Sequence, residues 1–353
     1  MPPHRALRRG IAVIRPARDD DAPGIVRVVG ACWSEYPGCV IDIEGEAPEL
    51  LRIASHAAGR GGAAWVAEVD AAVVGLVCVW PLDEGDWELA KVYVAREHRG
   101  GGLAHVLADT AESFARAHGA THMRLWSDTR FDRAHRFYEK RGYVRSGPIR
   151  ALDDKSHSIE FAYAKPLTGV VVERLDAAAA ASAEYGLARA LVACVNDGAA
   201  VSFLPPLSME RALAFWRKVS SSVARGEKIL LVAWSDGTIA GTVQLDLATP
   251  ENQPHRADVA KMLVHPDARR RGIGRALLAR IEAEAAAAGR SLLTLDTRAD
   301  DFAESLYRGG GWTECGRIPD YALNADGRTP HDTVLFYKRV TPTHAAQASP
   351  RTP

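Results

Sequence analysis

Hydrophobic and polar segments follow one order along the chain, and that order occurs twice. Apolar runs at residues 11–14, 64–69 and 73–80 read as strands, a helical stretch follows the first, and Val-Asp-Ala-Ala between the last two suits a hairpin turn. The order returns at 170–172, 229–234 and 239–247, with Ser-Asp-Gly-Thr as the turn. Each copy continues with a strand, Lys91-Val92-Tyr93-Val94 or Lys261-Met262-Leu263-Val264, then a Gly-rich loop and an Ala-rich helical stretch. A second strand (123–127 or 291–296), a short helix and one final strand close the unit. Alternation of strand and helix around the loop predicts a mixed α/β sheet with parallel strands there.

The copies keep register over long spans. Lys91 and Lys261 are 170 positions apart, as are Arg99 and Arg269, while Tyr138 and Tyr307 are 169 apart. Solenoid units run about 20–50 residues, so this period is a duplicated domain. The breaker run Lys165-Pro166-Leu167-Thr168-Gly169 marks the join. The expected organisation is a flexible N-terminus at 1–10, domains at 11–166 and 167–341, and a disordered tail at 342–353 rich in Ala, Thr, Ser and Pro.

Composition narrows the function classes. The 353 residues hold 47% hydrophobic and 25% charged side chains, as in ordinary globular proteins. Lys plus Arg and Asp plus Glu both number 44, which argues against a nucleic acid or an anionic membrane as partner. Five scattered cysteines without ligand spacing read as reduced thiols, and a cytoplasmic location is expected. No apolar run follows the basic start as in a signal peptide, and none approaches the about 20 residues of a membrane span.

The Gly-rich loops carry the candidate chemistry. A helix start has unpaired N–H groups and partial positive charge, and glycine lets a phosphate approach the backbone. Arg99, Gly100, Gly101, Gly102, Leu103 and Ala104 meet this need, as do Arg269, Arg270, Arg271, Gly272, Ile273 and Gly274. Both loops resemble the R/Q-x-x-G-x-G/A signature of the GNAT N-acetyltransferases. The resemblance extends to the preceding strand, to His265-Pro266, and to a downstream Tyr-x-x-x-Gly-aromatic element at Tyr138 and, one residue out of register, at Tyr307. It covers about residues 11–165 and 169–340. The second copy also resembles the tabtoxin-resistance subgroup, through the stretches at 252–274, 292–298 and 318–327.

The resemblance implies two tandem acyl-CoA N-acyltransferase folds with acetyl-CoA as cosubstrate and no metal. It implies a pantetheine arm bound along Val92, Tyr93 and Val94 and along Met262, Leu263 and Val264, with the diphosphate on the two loops. Phe131 and Asp300 stand where many members carry an Asn, seven residues before the Tyr. The implied acceptor is a small-molecule primary amine, amino-acid-like or toxin-like, on a monomer or homodimer.

Acetylating an amine with a thioester requires a neutral nucleophile, a base to reach it, and an acid for the leaving thiolate. Tyr138 and Tyr307 occupy the family's acid position, against the plain reading of a helix Tyr packed on a sheet. Glu88 and Asp258 are base candidates, four residues before Val92 and Met262 and by alternation on the same strand face. Asp296, at a strand end like its counterpart Asp128, is the other candidate, and there the alternative is a helix N-cap. His98, His105, His122 and His135 show no ligand spacing and are expected at the solvated surface. One alternative makes one copy, the first more readily, a non-catalytic CoA-binding or structural lobe. A remoter one is an NAD(P)-dependent oxidoreductase, because Gly272-Ile273-Gly274 with Asp296 mimics a dinucleotide fingerprint, although Leu277 replaces its third glycine.

Overall fold

In a computed structural model, residues 11–343 are described; the expected loose N-terminus and nearly all of the expected tail lie outside them. The chain folds as two compact units. The first runs to Thr168, apart from residues 138–144, which group with the second unit from Gly169 onward.

In the first unit, β1 (Val13–Pro16), β2 (Ala63–Val69), β3 (Ala72–Asp83), β4 (Asp86–Val94), β5 (His122–Asp128), β6 (Val144–Arg145), β7 (Arg150–Ala151) and β8 (Ile159–Pro166) form one sheet. Its order is β1-β2-β3-β4-β5-β8-β6, and β7 pairs with β8. Helices α1 (Ala22–Trp33), α2 (Ile53–Gly59), α3 (Leu103–Ala117) and α4 (Asp132–Lys140) flank it. The second unit has β9 (Val170–Leu175), α5 (Ala177–Asn196), α6 (Met209–Ala224), β10 (Lys228–Ser235), β11 (Thr238–Asp246), β12 (Arg256–Val264), α7 (Ile273–Ala287), β13 (Leu292–Arg298), α8 (Phe302–Gly309), β14 (Thr313–Leu323) and β15 (Pro330–Arg339). Its sheet runs β14-β15-β13-β12-β11-β10-β9.

The hairpin turns form as expected, with positive φ at Asp70 and Ala71 and at Asp236 and Gly237. Parallel pairing occurs where it was expected, β4 with β5 and β12 with β13. Among the described residues the pairings include one parallel pair in each sheet, β4–β5 and β12–β13, which is not a repeated βαβ arrangement of the dinucleotide-binding kind. Each copy closes with more than the single expected strand, because a hairpin, β14–β15, puts the last strand beside β13.

The second sheet has two apolar faces. Val243, Leu245, Ala257, Val259, Leu293 and Leu295 pack under α7, and Leu230, Val232, Trp234 and Leu263 pack under α5 and α6. Strands covered on both faces explain the near-continuous apolar runs at 229–234 and 239–247. A Cβ on Gly241 would lie 2.9 Å from the Leu263 carbonyl and 3.0 Å from Ile273, so a glycine lets α7 sit close on the sheet. Helix α5, with Asp176 as N-cap, corrects one expectation: it is long and apolar enough to cross a membrane, and 56% of its most apolar window is buried within the protein.

Lys165 of β8 and Glu112 of α3 form an ion pair at 2.9 Å with only 4% and 3% of their side chains exposed. Glu112 keeps a longer contact to Arg116 at 3.6 Å, so losing Lys165 weakens its pairing without leaving it alone. Lys165→Met is therefore expected to destabilise the first unit by up to about 3 kcal/mol in urea unfolding, and adding Glu112→Leu to recover part of that loss.

Candidate active site

The two Gly-rich loops are built alike. Gly100 and Gly102 have φ of 81° and 86°, and Arg270 and Gly272 have φ of 62° and 82°. Gly102 and Gly272 cap α3 and α7 from the left-handed region, where no side chain caps the helix and a Cβ would meet nothing within 4 Å. The N–H groups of residues 100–104 and 270–274 find no acceptor among the described residues. Open donors at a helix start with room above them fit a diphosphate.

Side chains distinguish the loops. Arg99 is folded inward, with Nε donating to the Val94 carbonyl at 2.8 Å, one amino group to Glu35 at 2.8 Å and the other to the Cys32 sulfur at 3.2 Å. It props the loop from below. Arg269 pairs with Asp197 at 2.6 Å and Arg271 with Asp236 at 2.7 Å, each about half exposed. Arg270 is exposed and has no partner among the described residues.

The strand before each loop carries a bulge that the sequence did not announce. Leu76 pairs with Tyr93 and Cys78 with Ala90, which leaves two residues of β4 opposite one of β3. Thr242 pairs with Leu263 and Gln244 with Ala260 in the same way. Lys91 and Lys261 sit in the bulges, with φ of 54° and 53°. The extra residue flips alternation, which corrects the sequence reading. Glu88 shares a face with Ala90 and Tyr93, and Asp258 with Ala260 and Leu263; neither shares the face of Val92 or Met262.

The bulged strands also leave their parallel partners. β4 and β5 pair only from Asp86–His122 to Glu88–Arg124, and β12 and β13 only from Arg256–Leu292 to Asp258–Thr294. Past those pairs the backbones of Val92 to Val94 and Met262 to Val264 have no ladder partner on that side. An extended amide-bearing arm fits such an edge.

The base candidates differ in what holds them. Glu88 accepts from the Trp80 indole at 2.7 Å. Asp258 accepts from Arg256 and from the Thr294 hydroxyl. Asp128 is buried and gripped by Arg130 at 2.6 and 2.8 Å; burial alone would raise its pKa, and the Arg130 bonds hold it below the usual range. Asp296 is exposed and has no hydrogen-bond partner among the described residues. It lies on the α5/α6 face, two residues beyond Thr294 and opposite to Leu295.

Tyr307 is 5% exposed, its ring 5.9 Å from Trp312 and 5.8 Å from Phe336. Its hydroxyl has no partner among the described residues. Burial raises its pKa most, and the negative charges of Asp296 and Asp301 raise it further. The phenol thus stays protonated through the neutral range, near enough to Asp296 to feel its charge. Tyr138 is 7% exposed, edge-on to Tyr143 at 5.9 Å.

His135 departs from the expected surface position. It is buried, with Nε2 2.9 Å from the Asp128 carbonyl and its ring against Phe161, and burial lowers its pKa. No cluster of metal-ligating side chains occurs among the described residues. A depression lined by Arg174, Asp176, Gly226 and Lys228 lies at the other end of β10 and shares none of the candidate residues.

One family model matches both halves. The model of the Acetyltransferase (GNAT) family matches residues 29–143 and 185–311. An uncharacterized N-acetyltransferase in the hisH-hisA intergenic region of Azospirillum brasilense is 34% identical over 134 residues, 37% of this chain and 77% of that protein. An IAA acetyltransferase of Azospirillum brasilense is 37% identical over 101 residues, 28% of this chain and 64% of that protein. Among solved structures, a putative acetyltransferase from Salmonella typhimurium with its cofactor acetyl-CoA is 20% identical, covering 51% of this chain and 98% of that one at a TM-score of 0.40.

Proposed function

This chain belongs to the GNAT acetyltransferase family, and from that premise we propose that it transfers an acetyl group from acetyl-CoA to a primary amine of a small molecule, at a site in the second unit. One observation carries the choice of unit. Asp296 and Tyr307 stand within electrostatic reach of each other where β12 and β13 part, both without hydrogen-bond partners. In the first unit the corresponding carboxylate, Asp128, is held by Arg130.

The second unit's residues fit the cofactor. The open N–H groups of residues 270–274 and the cation of Arg270 suit its diphosphate, and the unpaired edge at Met262, Leu263 and Val264 suits its pantetheine amides. When bound, acetyl-CoA supplies a thioester whose C–S bond breaks as the C–N bond forms. Asp296 accepts a proton from the substrate ammonium on a carboxylate oxygen before attack, which frees the nitrogen lone pair, and its exposure lets it pass that proton to water. Tyr307 holds a proton on Oη that it can donate to the leaving sulfur, and the proton released from the attacking nitrogen then restores the phenol. Asp258, tied to Arg256 and Thr294, positions the strand end instead of acting as base.

A second reading applies to the first unit, which keeps its loop. With Arg99 bound inward, Glu88 held by Trp80 and Lys91 paired with Glu49 at 2.7 Å, it is best suited to a CoA-binding or structural lobe.

The test uses the full chain. Acetyl-CoA binding is measured by calorimetry, and a panel of primary amines is then supplied while free thiol is followed. Amine-dependent thiol release supports the reading. Binding without release for every amine would reduce the protein to a cofactor-binding module, and absence of binding would overturn the reading entirely.

A further inference from the structure

Lysines occupy both bulges, yet only one is neutralised. In the first unit Lys91 reaches Glu49. In the second, Lys261 donates to the Ser202 hydroxyl at 3.0 Å, and no carboxylate lies within ion-pair distance of it among the described residues. Ser202 belongs to the segment between α5 and α6, and it is itself held at a φ of 69°. An ammonium carries three donors, so two on Lys261 are unspent. Burial lowers its pKa and Lys228 adds to that, while the charge of Asp296 opposes both. Its partner Ser202 lies between α5 and α6, so the cation stands on the α5/α6 side of the sheet, where Asp296 lies.

The same face holds a second unspent donor. Gln244 is 2% exposed, and its Nε2 has no hydrogen-bond partner. Its strand position is opposite Ala260, next to the bulge. The first unit has Cys78 at the corresponding position opposite Ala90. A buried amide donor without an acceptor costs about 1–3 kcal/mol, and an arriving anion relieves that cost. The charged groups nearby sort by role. Asp258 is taken by Arg256 and Thr294, and Asp246 by Lys228. Asp296 and Lys261 are left as an unpaired acid and an unpaired base on one face.

Resting on the reading of this site as an acetyltransferase centre, we propose that the acceptor is an amine that also carries a carboxylate, with Lys261, Ser202 and the Gln244 amide holding the carboxylate while Asp296 receives the amine. The separation of charges in the site matches a zwitterion, and an uncharged carboxamide analogue offers Lys261 and Gln244 only a neutral carbonyl acceptor in place of a charged one. Lys261 is a specificity-determining residue here; it takes no proton from the reacting nitrogen.

The experiment compares matched pairs, α- and ω-amino acids against their carboxamides, with acetyl-CoA and the full chain. The wild-type protein is expected to prefer the acid by about 10- to 100-fold in kcat/KM, the range of one or two charge-assisted hydrogen bonds. In Lys261→Met the preference disappears because KM for the acid rises far more than KM for the amide. Lys261→Arg restores part of the preference, which a purely structural role would not do. Equal turnover of acid and amide by the wild type, or an equal loss for both in Lys261→Met, would overturn the inference and leave the acetyltransferase reading intact. Acetyl-CoA binding with turnover of none of the acids also overturns it. Failure to bind acetyl-CoA removes the reading on which it rests.

Discussion

Tyr307→Phe is expected to lower kcat for amine acetylation by about two to four orders of magnitude, the usual worth of a positioned general acid, with KM for acetyl-CoA little changed. The variant removes one oxygen and leaves the ring between Trp312 and Phe336. Since the hydroxyl has no partner, its loss leaves no polar group stranded, and thermal unfolding should match wild type. Asp296→Asn is expected to cost a similar factor. Its side chain is exposed and unpaired, so that loss too is chemical and not structural. Tyr138→Phe is the control and should remain near wild type. Steady-state thiol release on the three variants decides the matter: equal losses at Tyr307 and Tyr138 would end the proposal of one dominant site.

The second large effect lies in the cofactor loop. Gly272→Val places a β-branched residue at a φ of 82°, a strain of about 1–3 kcal/mol, and fills the open space above the helix start. Loss of two charge-assisted bonds to a diphosphate, each worth about 1.5–3 kcal/mol, lowers acetyl-CoA affinity by about 100-fold or more. Gly102→Val makes the same change in the first unit. Calorimetry on each variant separates the two loops. Turnover should fall with Gly272→Val and persist with Gly102→Val, and the reverse pattern would move the active site to the first unit.

Much of this architecture was legible in the chain. The duplication, the hairpins at Asp70 and Asp236 and the strand–loop–helix order were readable because period-2 apolar runs, turn residues and glycines act over a few positions. The loops were readable for the same reason: Gly102 and Gly272 satisfy a local backbone demand. The choice among carboxylates was not legible. Asp258 and Asp296 look alike as isolated acids, and only the neighbouring strand brings Thr294 to one of them. His135 shows the same limit, since its burial comes from β8 and the Asp128 carbonyl.

By itself the sequence determined two copies of a Gly-rich strand–loop–helix unit on a mixed sheet, with a tyrosine and an acid in each. The tertiary structure decided which acid is unengaged, which face each strand residue takes, and where the unpaired cation stands. The bulges at Lys91 and Lys261 are registers between strands, and a register depends on both partners. Lys261 meets Ser202 across 59 positions of chain and feels Asp296 from a neighbouring strand. Such groups come together only when the sheet closes, because their interaction depends on distance in space and not on spacing along the chain.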